Sequence, residues 1–354
     1  MKHHTEVTQS ISAIRSAHYD RKNNNMKSMK FTHLVRITSA TIIALTTLSL
    51  ISTLKATPPS TNGCGVTGVV EQYGVGSSPF GNTPLNWRAF VPSDTGVHPA
   101  VIVIHGGDFY GGTFNDTQTD ESLVCAGFCV FDIEYRLAPP GKAPGQPAGD
   151  LGRYPEQTDD LATAIRAARS PAPGSVAHGR VNGKVGAVGG SAGGSHAAYC
   201  AAAPTLGTDQ LDAAVLLSGA YDYHDPASLL DTRCAPFGEI VRNYVGCSPG
   251  PACDGNGGSL DLASPYRRFT RSSSPVFIVA SNLDPMPPNQ FTILVNLVAL
   301  IGVPNCQNTL LVQTPGPNGC TGHSFDLWPD VSAQAIAFLN TFLQIPGAGV
   351  PVAE

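Results

Sequence analysis

Six short apolar runs punctuate the chain, at 100–104, 128–135, 185–188, 213–217, 276–280 and 309–313. The first places four β-branched residues in a row after Ala100 and ends at His105, Gly106 and Gly107. Between the runs lie segments whose apolar residues recur three and four apart. In 156–169, Leu161, Ala164, Ile165 and Ala168 share one face, and 197–203, 289–301 and 331–342 read the same way. Largely unbroken apolar strands alternating with amphipathic helices predict an α/β protein, with a mostly parallel sheet covered by helices on both faces. No internal repeat is visible.

The alternation lapses at 221–269, a stretch with three cysteines and a glycine-rich turn, which predicts a small insertion or cap at the sheet's edge. Asp254, Asn256 and Gly258 have the spacing that opens a calcium loop, but the other ligands of the twelve-residue pattern are missing, so the segment reads as a turn. Upstream, 57–84 is expected to be a linker or irregular start. The folded domain is expected over 85–345, and 346–354 reads as a flexible tail.

Charge is unevenly placed. Residues 1–56 hold eight Lys/Arg against two Asp/Glu, which leaves thirteen and twenty-four in the remainder, a net of −11. An acidic body without a basic stripe argues against nucleic acid as a partner. In the head, Lys27, Lys30 and Arg36 precede an uncharged stretch, 37–54, followed by Ala56. This order predicts a signal peptide over Met26 to Ala56 within a leader of 1–56, hence a secreted or periplasmic protein without a stable membrane span once the leader is cleaved. The alternative is a membrane anchor through 37–54, which its many Thr and Ser disfavour. All nine cysteines follow the leader and none has CxxC spacing, so disulfides are expected rather than a metal site. Nine is odd. Cys200, in an alanine-rich helical run, is the expected free thiol, and Cys306 and Cys320, which flank the last strand, are expected to pair.

The chemistry concentrates around Gly189, Gly190, Ser191, Ala192 and Gly193, with an apolar strand just before and an alanine-rich helix just after. A G-x-S-x-G in that setting predicts a nucleophile elbow, a turn so tight that only small residues fit beside the serine. Gly106 and Gly107, after the strand 100–104, would bring their backbone amides close to a developing oxyanion together with the amide of Ala192. The order nucleophile, acid, base places the base after the last strand, at His323, and the acid after the strand 276–280, at Asp284. Asp326 is too near His323 in sequence to orient it easily, Asp132 reads as structural, and His105 and His196 are given no proton-transfer role.

These residues carry a resemblance. Besides the elbow and His105 to Gly107, the chain has Glu134-Tyr135-Arg136-Leu137-Ala138-Pro139, Tyr154-Pro155 with Asp159-Asp160, Ala263-Ser264-Pro265 and Gly322-His323-Ser324-Phe325. It resembles α/β-hydrolase fold carboxylesterases of the hormone-sensitive-lipase-like and bacterial feruloyl-esterase-like branch, over roughly 85–342. The resemblance implies a Ser-His-Asp esterase with no cofactor, acting on short or medium acyl groups. Three positions depart from the family pattern: Asp108 stands where a third glycine is usual, Gly190 where lipase-like members carry an acid, and Pro285-Met286-Pro287-Pro288 follows Asp284. The expected function is that of a secreted serine hydrolase cleaving carboxylic esters through an acyl-enzyme, on a small-molecule or polysaccharide-linked substrate. The same machinery acting on an amide, formamide or peptide is the near alternative. A non-catalytic binding protein is the distant one, because such a protein has no need of all three triad residues in order.

Overall fold

The computed structural model describes residue 64 and residues 66–202, 209–316 and 319–344. The leader 1–56 and the tail 346–354 lie outside the described residues. Eight strands form one sheet: β1 Val69–Ser78, β2 Gly81–Phe90, β3 His98–Ile104, β4 Cys129–Ile133, β5 Val181–Gly190, β6 Ala213–Leu217, β7 Val276–Ser281 and β8 Gln307–Leu311. Their order is β1-β2-β4-β3-β5-β6-β7-β8. The first two pairings, β1 with β2 and β2 with β4, are antiparallel, and all the others are parallel. The longer helices are α1 Thr117–Cys125, α2 Glu156–Arg169, α3 Ala192–Ala201, α5 Phe237–Val245, α8 Pro288–Ile301 and α9 Trp328–Leu343. Three short ones, α4 Pro226–Leu229, α6 Pro251–Asp254 and α7 Ser259–Ala263, lie in the insertion. This is the α/β-hydrolase architecture.

Successive side chains of a strand point to opposite faces, so an unbroken apolar strand feeds two cores. In β3, Ala100, Ile102 and Ile104 join one cluster, with Leu161, Ala164 and Ile165 of α2 and Leu294 of α8. Val101 and Val103 join the other, with Leu123 of α1 and Trp328, Phe338 and Leu339 of α9. A third cluster covers the C-terminal end of the strands: Phe109, Ala192, Tyr223, Phe237, Val241 and Tyr244 pack together. The insertion is therefore a cap, with its apolar side turned onto the nucleophile elbow.

The structure corrects several boundaries. The segment 57–84, expected as a linker or irregular start, contains β1 and the beginning of β2. β1 is an edge strand with only Tyr73 and Gly76 buried, so its sequence carries little of the apolar signal that marks its neighbours. β8 begins two residues earlier than the apolar run 309–313. Disulfides join Cys64 to Cys125, Cys234 to Cys320 and Cys247 to Cys253, and Cys129, Cys200 and Cys306 are thiols. The expected Cys306–Cys320 pair does not form. β8 stands between the two, and five extended residues span ~17 Å, whereas a disulfide bridges Cα atoms ~6 Å apart. Cys320 instead meets Cys234 of the insertion, which ties the cap to the loop carrying His323.

Buried charge is concentrated in two places. Arg136, at the end of β4, donates from Nε and Nη2 to Asp160 of α2, and its own amide donates to Asp160 Oδ2 at 2.9 Å. Nη1 donates to Ser77 O and Nη2 also to Glu156 O, so one guanidinium ties β1 and α2 to the chain just past β4. In the second, Arg88 of β2 donates to Asp120 Oδ2 of α1 at 2.8 Å and to Asp132 Oδ2 of β4 at 3.2 Å. Both carboxyls are fully buried. Burial pushes Asp120 up to about 7 and Asp116 up to about 6, against the pull of the single guanidinium. Asp132 is raised as well, by burial and by its two acidic neighbours.

Two predictions follow from these features. A carboxyl whose folded pKa is raised holds a proton that the unfolded chain releases, so its contribution to stability is lost as pH climbs from about 4 to about 7. Asp120→Asn should therefore flatten the fall in Tm measured between pH 5 and pH 8, and a variant as pH-sensitive as the wild type would refute this account. Replacing Cys234 and Cys320 by serine should cost about 2–5 kcal/mol in denaturant unfolding, because the bond closes a loop of 86 residues in the unfolded chain. An unchanged midpoint would show that the bridge adds nothing.

Candidate active site

β5 runs through the interior of the sheet between β3 and β6, and α3 starts immediately after it. Ser191 occupies the joint with φ 55° and ψ −119°, a conformation strained for a residue with a side chain. Its amide donates to Leu217 O of β6 at 2.8 Å, which fixes the turn to the sheet. The turn closes so tightly that a Cβ on Gly189 would strike the backbone of Gly193, and a Cβ on Gly193 would strike Ile104 O. Gly190 has an equally direct cause. A side chain there would run into Ser324 Oγ and the Phe325 ring, so this chain has no room for the acid that lipase-like members carry.

The loop after β3 carries Gly106 and Gly107, two of the expected oxyanion donors. A Cβ on Gly106 would lie 2.9 Å from both Gly190 O and Ser191 Cβ, so the loop backbone passes directly against the nucleophile. Gly107 has φ 115°, and Asp108 and Phe109 follow at 54° and 66°. Asp108 thus keeps the left-handed backbone that a third glycine would adopt, which aspartate tolerates better than most residues. Behind this loop, His105 stacks on Tyr135 with centroids 4.3 Å apart. Burial pushes His105 down to about 4 and His196 down to about 3, so both are neutral. His196 Nε2 donates to Gln157 Oε1, and Gln157 Nε2 donates to Phe109 O and Gly152 O at 2.7 Å each. The two histidines brace the loop.

The expected base and acid, His323 and Asp284, lie in the loops after β8 and β7. His323 Nδ1 meets Asp284 Oδ1 at 2.6 Å, and the Met286 amide donates to the same oxygen at 2.9 Å. Asp326 is exposed and touches His323 only through its backbone amide, which donates to His323 O. Asp132 lies in β4, paired with Arg88. Sequence reasoning missed Ser218, at the end of β6. Its hydroxyl donates to Asp284 Oδ2 at 2.5 Å and accepts from the Ser324 amide at 3.0 Å, joining the acid loop to the base loop. The available signal was its place, a small polar residue directly after a buried parallel strand. Gln157 was missed too, hidden in an ordinary helical pattern. Six described non-glycine residues have positive φ, and five of them (Asp108, Phe109, Ser191, Ser218 and Ser324) surround this site.

Ser191, Ala192 and His323 line one pocket of about 50 Å³, closed by Phe109, Phe237, Ile240, Val241 and Met286. Its walls are apolar apart from Asp108, Ser191 and His323. Phe109 stacks on Tyr244 of α5 with centroids 4.0 Å apart, which couples the oxyanion loop to the cap. Among the described residues no cluster of His, Cys, Asp or Glu could hold a metal ion.

The same architecture occurs in solved structures. An esterase from Thermogutta terrifontis, Est2, superposes with a TM-score of 0.56 at 19% identity, covering 82% of this chain and 97% of that one. A thermostable esterase from Pseudomonas putida gives 0.55 at 19% identity, over 79% of this chain and 84% of its own. The Pyrobaculum calidifontis esterase gives 0.54 at 20%, over 78% and 86%. At these identities the likeness is one of fold. Among curated protein sequences none matches significantly. The BD-FAE family model matches residues 90–297, well over half of the chain, from the end of β2 through the elbow and acid loop into α8. The chain belongs to the BD-FAE family and is an ester hydrolase of the α/β-hydrolase fold.

Proposed function

We propose that the protein is a secreted serine hydrolase that cleaves carboxylic esters through an acyl-enzyme. Ser191 is the nucleophile, His323 the general base and acid, and Asp284 the orienting carboxylate, while the amides of Gly106, Gly107 and Ala192 receive the oxyanion. The observation that carries this reading is the 2.6 Å contact between His323 Nδ1 and the buried Asp284, beside a pocket lined by both His323 and Ser191. Asp284 holds the proton on Nδ1, which leaves the Nε2 lone pair free to act.

Ser191 Oγ attacks the ester carbonyl carbon while His323 Nε2 takes its proton. The carbonyl electron pair moves onto oxygen, where the preorganised amides stabilise it in a pocket that excludes most water. Collapse breaks the bond to the alcohol oxygen, and His323 returns the proton to that leaving group. The acyl group is now on Ser191. Water then attacks by the same route, with His323 as its base, and the carboxylic acid departs as Ser191 regains its proton. The strained backbone of Ser191 keeps the hydroxyl clear of the sheet throughout. Export is supported by the disulfides, which persist in oxidising compartments. The basic-then-apolar order of residues 26–56 supports it as well. No helix among the described residues is long and apolar enough to cross a membrane.

Ser191→Ala should lower kcat on p-nitrophenyl acetate by ~10⁴–10⁶ while leaving Tm in place. A fluorophosphonate should label Ser191 in the wild type alone, and p-nitroanilides of the same acyl groups should stay uncleaved. Undiminished turnover in the alanine variant would place the nucleophile elsewhere. Asp284→Asn should cost ~10⁴ in kcat through loss of the correct tautomer, and Asp326→Asn should leave the rate near wild type. Ser218→Ala, which frees the second oxygen of Asp284, should lower kcat by ~10–100 with KM little changed. If Asp326→Asn is the damaging change, the assignment of the acid is wrong.

A further inference from the structure

The pocket at Ser191 is too small for more than a short acyl group, yet a larger cavity lies directly beside it. This second space, about 200 Å³, extends behind Asp284 and Ser218 between the ends of β6 and β7 and the start of α8. Its walls are mostly apolar, including Tyr221, Val279, Pro288, Phe291 and Leu310. An apolar cavity of ~150 Å³ is already enough to admit benzene. Two residues line both spaces, Met286 and Pro287. Pro287 is buried, and its ring fixes the backbone. Met286 is only partly buried and carries an unbranched side chain with three rotatable bonds, the kind that repacks most readily. The Met286 amide is anchored on Asp284 Oδ1, so its side chain can turn while its backbone stays in register with the acid.

We propose that Met286 is the gate that sets the length of the apolar group accepted by the active site, closing the Ser191 pocket from the cavity behind Asp284. The inference rests on the reading of Ser191 as the nucleophile. With the Met286 side chain in place, an acetyl-sized group fills the pocket. When it swings aside, the apolar chain of the ester enters the annex, whose volume and mostly apolar lining fit a hydrocarbon of about four to six carbons. The polar neighbours at its inner end, Asp284 and Ser218, already satisfy each other, so an aliphatic chain leaves neither unpaired.

The test is kcat/KM for p-nitrophenyl acetate, butyrate, hexanoate and octanoate with the wild type, Met286→Ala and Met286→Phe. Met286→Ala should raise the hexanoate-to-acetate ratio by ~10-fold or more, and Met286→Phe should lower it by a similar factor. The double variant Met286→Ala with Leu310→Trp, which fills the annex from its half-exposed outer wall, should bring the ratio back toward the wild-type value. If Met286→Ala fails to fold, Met286→Phe carries the test by itself. A ratio unchanged within about twofold in both single variants, with acetate turnover still abolished by Ser191→Ala, overturns the gate and leaves the proposed chemistry standing. Acetate turnover that does not depend on Ser191 overturns the chemistry, and the gate with it.

Discussion

The turn between β5 and α3 constrains everything around it. A hydroxyl held above the edge of a parallel sheet requires a backbone conformation that a serine resists, and it requires neighbours without side chains on both sides. Gly189 and Gly193 meet the second demand by lying against each other and against Ile104 O. The first is met by the sheet: the Ser191 amide is held by Leu217 O, and the strands on either side are buried apart from His98 at the start of β3. Strain of ~1–3 kcal/mol at one residue persists only where the surroundings over-determine it. Here two apolar cores, one on each face of β5, offset it. That Asp108, Phe109, Ser218 and Ser324 share the same strained region of φ is the continuation of this constraint, since each sits on a loop that must turn sharply to meet the elbow.

Hydrogen bonds between loops, rather than apolar contact, then fix the spacing of the site. Ser218 is the junction, because one hydroxyl serves the acid loop through Asp284 and the base loop through the Ser324 amide. Gln157 does the same on the other side, holding Phe109 O, Gly152 O and His196 with a single amide group. In a buried setting each of these groups would cost ~1–3 kcal/mol if left unpaired. The loops are thus held to a narrow set of positions, and the apolar cap packs onto a frame that is already fixed.

Much of this was legible in the sequence, for identifiable reasons. The central strands are buried on both faces, so they appear as unbroken apolar runs, and the glycines of the elbow are dictated by close approach rather than by taste in composition. That Asp284 and His323 would meet was legible because both follow neighbouring parallel strands, whose ends lie together. Other features left weaker traces. β1 buries little, and α1 opens on Thr117, Gln118 and Thr119 with poor separation of apolar and polar faces, so neither stands out from a loop. The pairing of Cys234 with Cys320 depends on where the cap folds, which no spacing along the chain encodes. Ser218 and Gln157 act through geometry alone, with residue types common in any turn or helix.

The groups gathered around Ser191 come from widely separated parts of the chain, beginning at Gly106 and ending at His323. A polypeptide emerging from its N-terminus lays down the oxyanion loop and the elbow well before the strand that delivers the histidine. On the roles proposed above, Ser191 gains a partner to take its proton only once β8 has docked against β7 and carried its following loop to Asp284. Reactivity would then arrive with the last strand of the sheet in chain order. On that reading, a growing chain that has not yet made this strand carries no triad, and its chemistry waits on its topology.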